Sequence, residues 1–166
     1  IFGFTSLIYE NFIKKFLKKK IKYDFSNGIL LHGGGWKKIE NLKISNQIFK
    51  KKLIEKTNLK NIHNYYGLVE QTGSIFIECK KCGSFLSSSF SDVIVRDKYF
   101  DKVKDGQKGL VQLISLLPTS YPGHSILTED IGEIVPRHKI KCKLDAKHFL
   151  IHGRLENSEV RGCSDV

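Results

Sequence analysis

The stretch ILLHGGGWKKIENLKISNQIFKKKLIEKTNLKNIHNYYG, residues 29–67, carries the clearest architectural signal in the chain. Ile29-Leu30-Leu31 is a short, fully apolar run of the kind buried inside a parallel sheet, and Asn27-Gly28 marks a turn before it. The run leads into Gly33-Gly34-Gly35. Ser45 then stands at the N-cap of a helix whose apolar residues Ile48, Phe49, Leu53 and Ile54 fall at helical spacing. Asn61 to Tyr66 reads as a second strand that ends at Gly67. Strand, loop, helix, strand is the βαβ pattern of a parallel sheet. Upstream, Ser6 is placed to cap another helix with Ile8, Phe12, Phe16 and Leu17 on its apolar side and lysines in its last turn.

From Ser74 onward the pattern changes to short β runs without long helices: Ile75-Phe76-Ile77, Val93-Ile94-Val95, Leu110 to Leu117, Ile126-Leu127, Glu133-Ile134-Val135 and Phe149-Leu150-Ile151. Asp105-Gly106 and Tyr121-Pro122-Gly123 supply turns between them. The expectation is therefore α/β: a parallel sheet with helices over residues 1–73, followed by a smaller β-rich portion over 74–166. No stretch rich in Gly, Ser or Pro separates these as independent domains.

The chain has 166 residues, 40% of them hydrophobic, which suits one folded domain and disfavours disorder. No apolar run approaches the ~18–20 residues of a membrane span, and no basic segment with a cleavage site opens the chain. Methionine is absent altogether, so the chain is expected to be a fragment of a longer protein. The net charge of +11 is uneven: residues 1–83 hold sixteen Lys and no Arg against six acidic residues. Sites that read nucleic-acid bases favour Arg, so a solvated lysine-rich face is the simpler reading and no nucleic-acid partner is expected. Four cysteines without a secretory signal fit reduced thiols in a cytoplasm.

Several clusters offer chemistry. Gly33, Gly34 and Gly35 follow a strand end, where open α/β sheets bind ligands and glycine lets backbone approach them; a tight turn is the plainer alternative. Tyr65-Tyr66-Gly67-Leu68-Val69-Glu70-Gln71-Thr72-Gly73 combines an aromatic face for a base, a carboxylate for Mg²⁺ and a hydroxyl for phosphate oxygens. Glu129 and Asp130 are adjacent acids between apolar runs, and a carboxylate there can accept hydrogen bonds from a ribose diol or merely solvate a turn. Cys163 lies two residues after Arg161, whose cation can raise its thiolate fraction. Cys79-Lys80-Lys81-Cys82 is half of a zinc-ligand pattern, with no second close pair in the sequence.

In order, the blocks HGGGWKK (32–38), YGLVEQTGSIF (66–76), SDVIVRD (91–97), SYPGHSILTEDIGEI (120–134) and HGRLENSEVRGCS (152–164) resemble the second half of an adenylate-forming domain. More narrowly, they resemble the acyl-protein synthetases, the fatty-acid–protein ligases of bacterial luminescence operons and their relatives. The resemblance implies activation of a fatty acid with ATP to an acyl-adenylate, then capture of the acyl group on an enzyme thiol and delivery to a reductase or carrier protein. It implies adenine against Tyr66, Mg²⁺ on Glu70, ribose hydroxyls on Asp130 with Arg154 nearby, and acyl acceptance by Cys163. Gly33, Gly34, Gly67 and Thr72 would lie along the nucleotide. Val69 stands where many adenylate-forming enzymes carry Ser or Thr, which leaves Thr72 to face the phosphates. The family's Ser/Thr/Gly-rich phosphate loop should precede Ile1, so the chain alone is not expected to adenylate. The alternatives are a related ligase acylating coenzyme A or a carrier, as in surface-polysaccharide assembly, and, more distantly, a basic nucleic-acid or zinc-binding module.

Overall fold

The computed structural model describes residues 1–19, 22–34, 44–119 and 122–155. The chain divides between Tyr65 and Tyr66 into two compact units.

The first unit holds three parallel strands, β1 (Phe2–Phe4), β2 (Ile29–Gly33) and β3 (Asn61–Tyr66, whose last residue opens the second unit), with Gly3 opposite His32 and Leu30 opposite Ile62. A helical run starts at Thr5 and passes through α1 (Thr5–Ile8), a π turn (Tyr9–Ile13) and α2 (Lys14–Lys18). Ser6 therefore does not cap it. Phe4 occupies the N-cap without a side-chain bond, and the Thr5 hydroxyl donates to the Gly33 carbonyl at 3.0 Å, fastening the helix start to β2. Helix α3 (Asn46–Thr57) begins as the sequence indicates, the Ser45 Oγ accepting from the Ile48 amide at 3.3 Å. It ends on Asn58 in the left-handed conformation that asparagine tolerates. Phe49 and Leu53 are buried at helical spacing and join Ile8, Tyr9, Ile13, Leu30, Leu59 and Ile62 in one core. Ile48 and Ile54 stay exposed, so the apolar stripe is narrower than the sequence suggests.

The second unit carries an antiparallel sheet of β5 (Phe85–Leu86), β9 (His148–Arg154), β8 (Ser125–Ile134), β7 (Gly109–Ser115) and β6 (Ser91–Arg96), in that spatial order, besides the short β4 (Phe76–Ile77). Its core takes alternate residues of neighbouring strands, Val93 and Val95, Val111 and Leu113, with Phe76, Phe85, Ile134 and Phe149. That alternation is the period-two pattern of a half-buried antiparallel sheet. The runs at 126–127 and 133–135 are not two strands: Ile126, Leu127, Glu133 and Ile134 belong to the single β8, and Val135 follows it. Among the described residues no helix is long and apolar enough to cross a membrane. The mixed α/β architecture with a parallel sheet and a separate β-rich sheet is the one the sequence indicates.

Candidate functional site

Strand β8 buries Thr128, Asp130, Gly132 and Ile134 in strict alternation, so Asp130 lies on the sheet's inward face and not in a solvated turn. A carboxylate there must be hydrogen-bonded to offset its desolvation. The Tyr66 hydroxyl donates to Asp130 Oδ2 at 2.7 Å, and Arg154 Nε lies 3.5 Å from Oδ1. Asp130 and Arg154 are directly paired across β8 and β9, next to a register shift between Ile131 and Gly132. A second shift sits in the β7–β8 ladder, between Leu110 and Gln112. There the Thr128 hydroxyl donates to the Val111 carbonyl at 2.8 Å and accepts from the Asp130 amide at 3.1 Å, filling in for lost ladder bonds.

Tyr66 is set by its ring. It contacts Phe76, Phe85 and Phe149 at centroid separations of 6.2, 5.9 and 6.1 Å. Burial, together with the negative charge of Asp130, pushes the phenol's pKa well above its usual value, so it remains a proton donor to the carboxylate. The loop after Tyr66 is clamped from beneath by Gln71, fully buried, whose Nε2 donates to the Leu113 carbonyl at 3.3 Å and the Gly123 carbonyl at 2.8 Å. Ser74 and Ser115 close its far end through a 2.6 Å hydroxyl pair. Gly123 is needed for this packing, because a Cβ there would collide with the Glu70 carbonyl oxygen. Glu70 itself is exposed on a one-turn 3-10 helix, Val69–Gln71.

The chain matches a family described as acyl-protein synthetase, LuxE, over residues 1–166. The chain belongs to the acyl-protein synthetase family. Among solved structures it is similar to a long-chain-fatty-acid–CoA ligase from Archaeoglobus fulgidus, at TM-score 0.62 and 12% identity, covering 93% of this chain and 34% of that one. Apo MatB from Rhodopseudomonas palustris is similar at TM-score 0.61 and 12% identity, covering 93% and 30%. The anthranilate CoA ligase AuaEII in complex with anthranoyl-AMP is similar at 0.61 and 12%, covering 92% and 29%. These likenesses establish the fold, that of part of an adenylate-forming ligase, and the chain spans about a third of the length of the ligases it resembles. No curated protein matches it.

Of the residues expected to serve an acyl-protein synthetase, the fold brings Tyr66, Asp130 and Arg154 together, the first by a hydrogen bond to Asp130 and the last by an ion pair. Gly67 sits at the start of the clamped loop, where a Cβ would press on the Ser74 carbonyl at 3.0 Å. The Thr72 hydroxyl donates to the Val69 carbonyl at 3.2 Å, leaving its oxygen lone pairs rather than its proton for another partner. Gly33 and Gly34 belong to the first unit, where they have packing reasons of their own. A Cβ on Gly33 would enter the Tyr65 ring, and Gly34 has φ +75°. Cys163 lies outside the described residues. Thr128, Gln71 and Ser115 carry supporting roles that motif reading assigned to no residue. Thr128 had a signal, standing two positions before Asp130 and hence on the same strand face.

Proposed function

We propose that this chain is part of a long-chain-fatty-acid–protein ligase, which activates a fatty acid with ATP to an acyl-adenylate and transfers the acyl group to the Cys163 thiol. One observation supports this reading above the others: the buried Asp130 carboxylate held between Tyr66 and Arg154. An ionised carboxylate has about four lone-pair sites. Tyr66 and Arg154 engage one oxygen each, which leaves acceptor capacity for the two hydroxyls of a ribose. In this assignment Asp130 accepts from the ribose, Arg154 holds the carboxylate in place, and Tyr66 offers adenine the edge of a rigid aromatic cluster. The family resemblance assigns Gly67 and Thr72 of the second unit to the nucleotide and, separately, Gly33 and Gly34 of the first.

Glu70, an exposed carboxylate on a fixed turn, suits a hard cation that takes oxygen ligands. Mg²⁺ held there would offset charge building on the phosphate oxygens. The Cys163 sulphur attacks the activated carbonyl, a thioester bond forms and AMP leaves with the carboxylate's former oxygen. The transfer is thereby split into two easier steps. Free thiols at Cys79, Cys82 and Cys142 favour a cytoplasmic setting for the reaction. The acceptor of the acyl group is a reductase or a carrier protein. Because the chain spans about a third of comparable ligases, the 166 residues alone are assigned no adenylation activity.

The full-length protein, given ATP and radiolabelled fatty acid, should hold label through a denaturing gel and release it to hydroxylamine. Cys163→Ser should abolish the label while leaving fatty-acid-dependent pyrophosphate exchange intact. A second reading, transfer to coenzyme A, is favoured by the CoA ligases among similar structures. It requires acyl-CoA to form and Cys163→Ser to be silent.

A further inference from the structure

The motif Cys79-Lys80-Lys81-Cys82-Gly83 takes no part in the nucleotide site, yet the fold gives it a specific shape. The Cys79 amide donates to the Ser84 carbonyl and the Gly83 amide to the Cys79 carbonyl, both at 2.8 Å, closing a tight loop. Gly83 has φ +68°, a left-handed conformation that glycine adopts without strain. This turn carries the Cys82 sulphur back toward Cys79. Cys142, remote in sequence, completes a triad whose three Sγ atoms all lie within 4.8 Å of one another, and none of the three is in a disulfide.

A fourth donor is present. His148 Nε2 lies 3.5 Å from Cys142 Sγ. A tetrahedral zinc ion with Zn–S of about 2.3 Å and Zn–N of about 2.0–2.1 Å separates sulphur from nitrogen by about 3.5 Å and sulphur from sulphur by about 3.8 Å. The histidine already has the required spacing to Cys142, the three sulphurs need to close on one another by at most about 1 Å, and the imidazole draws nearer to Cys79 and Cys82 as the ion binds. His148 and Ser84 are both buried, and His148 Nδ1 is 2.7 Å from Ser84 Oγ. With Nδ1–H donating to that hydroxyl, the Nε2 lone pair faces the Cys142 sulphur, which is how protein histidines are oriented toward metals.

The geometry points to a structural zinc site formed by Cys79, Cys82, Cys142 and His148. Three thiolates and an imidazole suit Zn²⁺ in preference to Mg²⁺ or Ca²⁺, and four protein ligands leave no open position for a substrate. Up to three thiol protons leave as the metal binds. Lys80, Lys81, Lys141 and Lys143 flank the ligands in sequence and balance the residual negative charge. The ion would tie the 79–84 loop to the start of β9. There, among the described residues, two residue pairs, Phe85 with Phe149 and Leu86 with His148, join β5 to β9.

The test is elemental analysis of the full-length protein, purified with a histidine-free tag and dialysed. About one zinc per chain is expected. Cys142→Ala and His148→Ala should each lose most of it, Ser84→Ala should weaken zinc affinity about 10–100-fold, and Cys163→Ser should retain the full content. Cobalt substituted into the unaltered protein should give the intense visible bands of a tetrahedral thiolate site, a reading that does not depend on any variant folding. Metal-free protein that gives an octahedral cobalt spectrum, iron in place of zinc, or full zinc content in Cys142→Ala would each overturn the assignment.

Discussion

Asp130 and Arg154 occupy the same rung of the β8–β9 ladder, and the arginine Nε lies 3.5 Å from the carboxylate Oδ1 while Tyr66 holds the other oxygen at 2.7 Å. The carboxylate is thus oriented by one neighbour from a strand and one from the turn-proximal end of β3. Replacing Asp130 by Asn keeps the shape and removes the charge. Hydrogen bonds to charged groups contribute about 1.5–3 kcal/mol, so Asp130→Asn should raise the KM for ATP in pyrophosphate exchange by roughly 10–150-fold. An unchanged KM would remove Asp130 from the nucleotide site.

Tyr66→Phe deletes one hydroxyl and preserves the aromatic packing on Phe76, Phe85 and Phe149. It leaves a buried carboxylate short of a donor, which costs about 1–3 kcal/mol. Urea unfolding should show that loss. It should shrink when Asp130 is already Asn, since residues in direct contact couple.

Gly123→Ala forces a methyl group against the Glu70 carbonyl. Overpacking of this sort costs about 1–3 kcal/mol. The movement it demands is in the loop that carries Glu70, so pyrophosphate exchange should fall at saturating ATP while fatty-acid binding, read by fluorescence, stays near the original. Equal losses in both would indicate general unfolding.

His32 gives the stability a pH dependence. It is buried against Phe49, at 4.7 Å between ring centroids, and its Nδ1 lies 2.9 Å from the Thr5 hydroxyl. Burial, with a smaller push from Lys50, lowers its pKa from 6.5 to about 4. The unfolded chain therefore takes up a proton near pH 6.5 that the folded chain refuses until about pH 4. Stability is unaffected above pH 7 and falls between these values, by about 3 kcal/mol in all at 1.36 kcal/mol per unit. Unfolding free energies at pH 7 and pH 4 should differ by that much more in the native protein than in His32→Gln. Equal pH dependence in the two would refute a neutral buried imidazole.

Much of this was legible in the chain itself, and the exceptions share a cause. Helix α3 and strand β3 appear where a local signal existed, a serine cap and an apolar spacing. Strand β1 did not, because Phe2-Gly3-Phe4 is too short to show a period and is made a strand by pairing with β2. The helix start was misread at Ser6 because the residue that matters, Thr5, spends its hydroxyl on a carbonyl from another strand. In the candidate site, motifs singled out Tyr66, Asp130 and Arg154, and alternation in β8 explains why Asp130 faces inward. The rung that pairs it with Arg154 depends on a register shift that no local pattern encodes. Of the cluster of Cys79, Cys82, Cys142 and His148, the first pair was legible as half of a zinc-ligand pattern, and the other two were not, because the fold brings them there across a long stretch of chain.

An acid on the oily side of a strand has a cost for anyone engineering this protein. A paired exchange to Leu at 130 and Phe at 66 would fill the same volume with carbon and spare the fold an ionic burden, and such exchanges often stabilise. On the proposed assignment of Asp130 to the ribose, libraries screened for heat resistance or soluble yield alone would drift at this position toward sturdier variants that no longer hold the nucleotide, and a thermostabilisation campaign would hold Asp130 fixed.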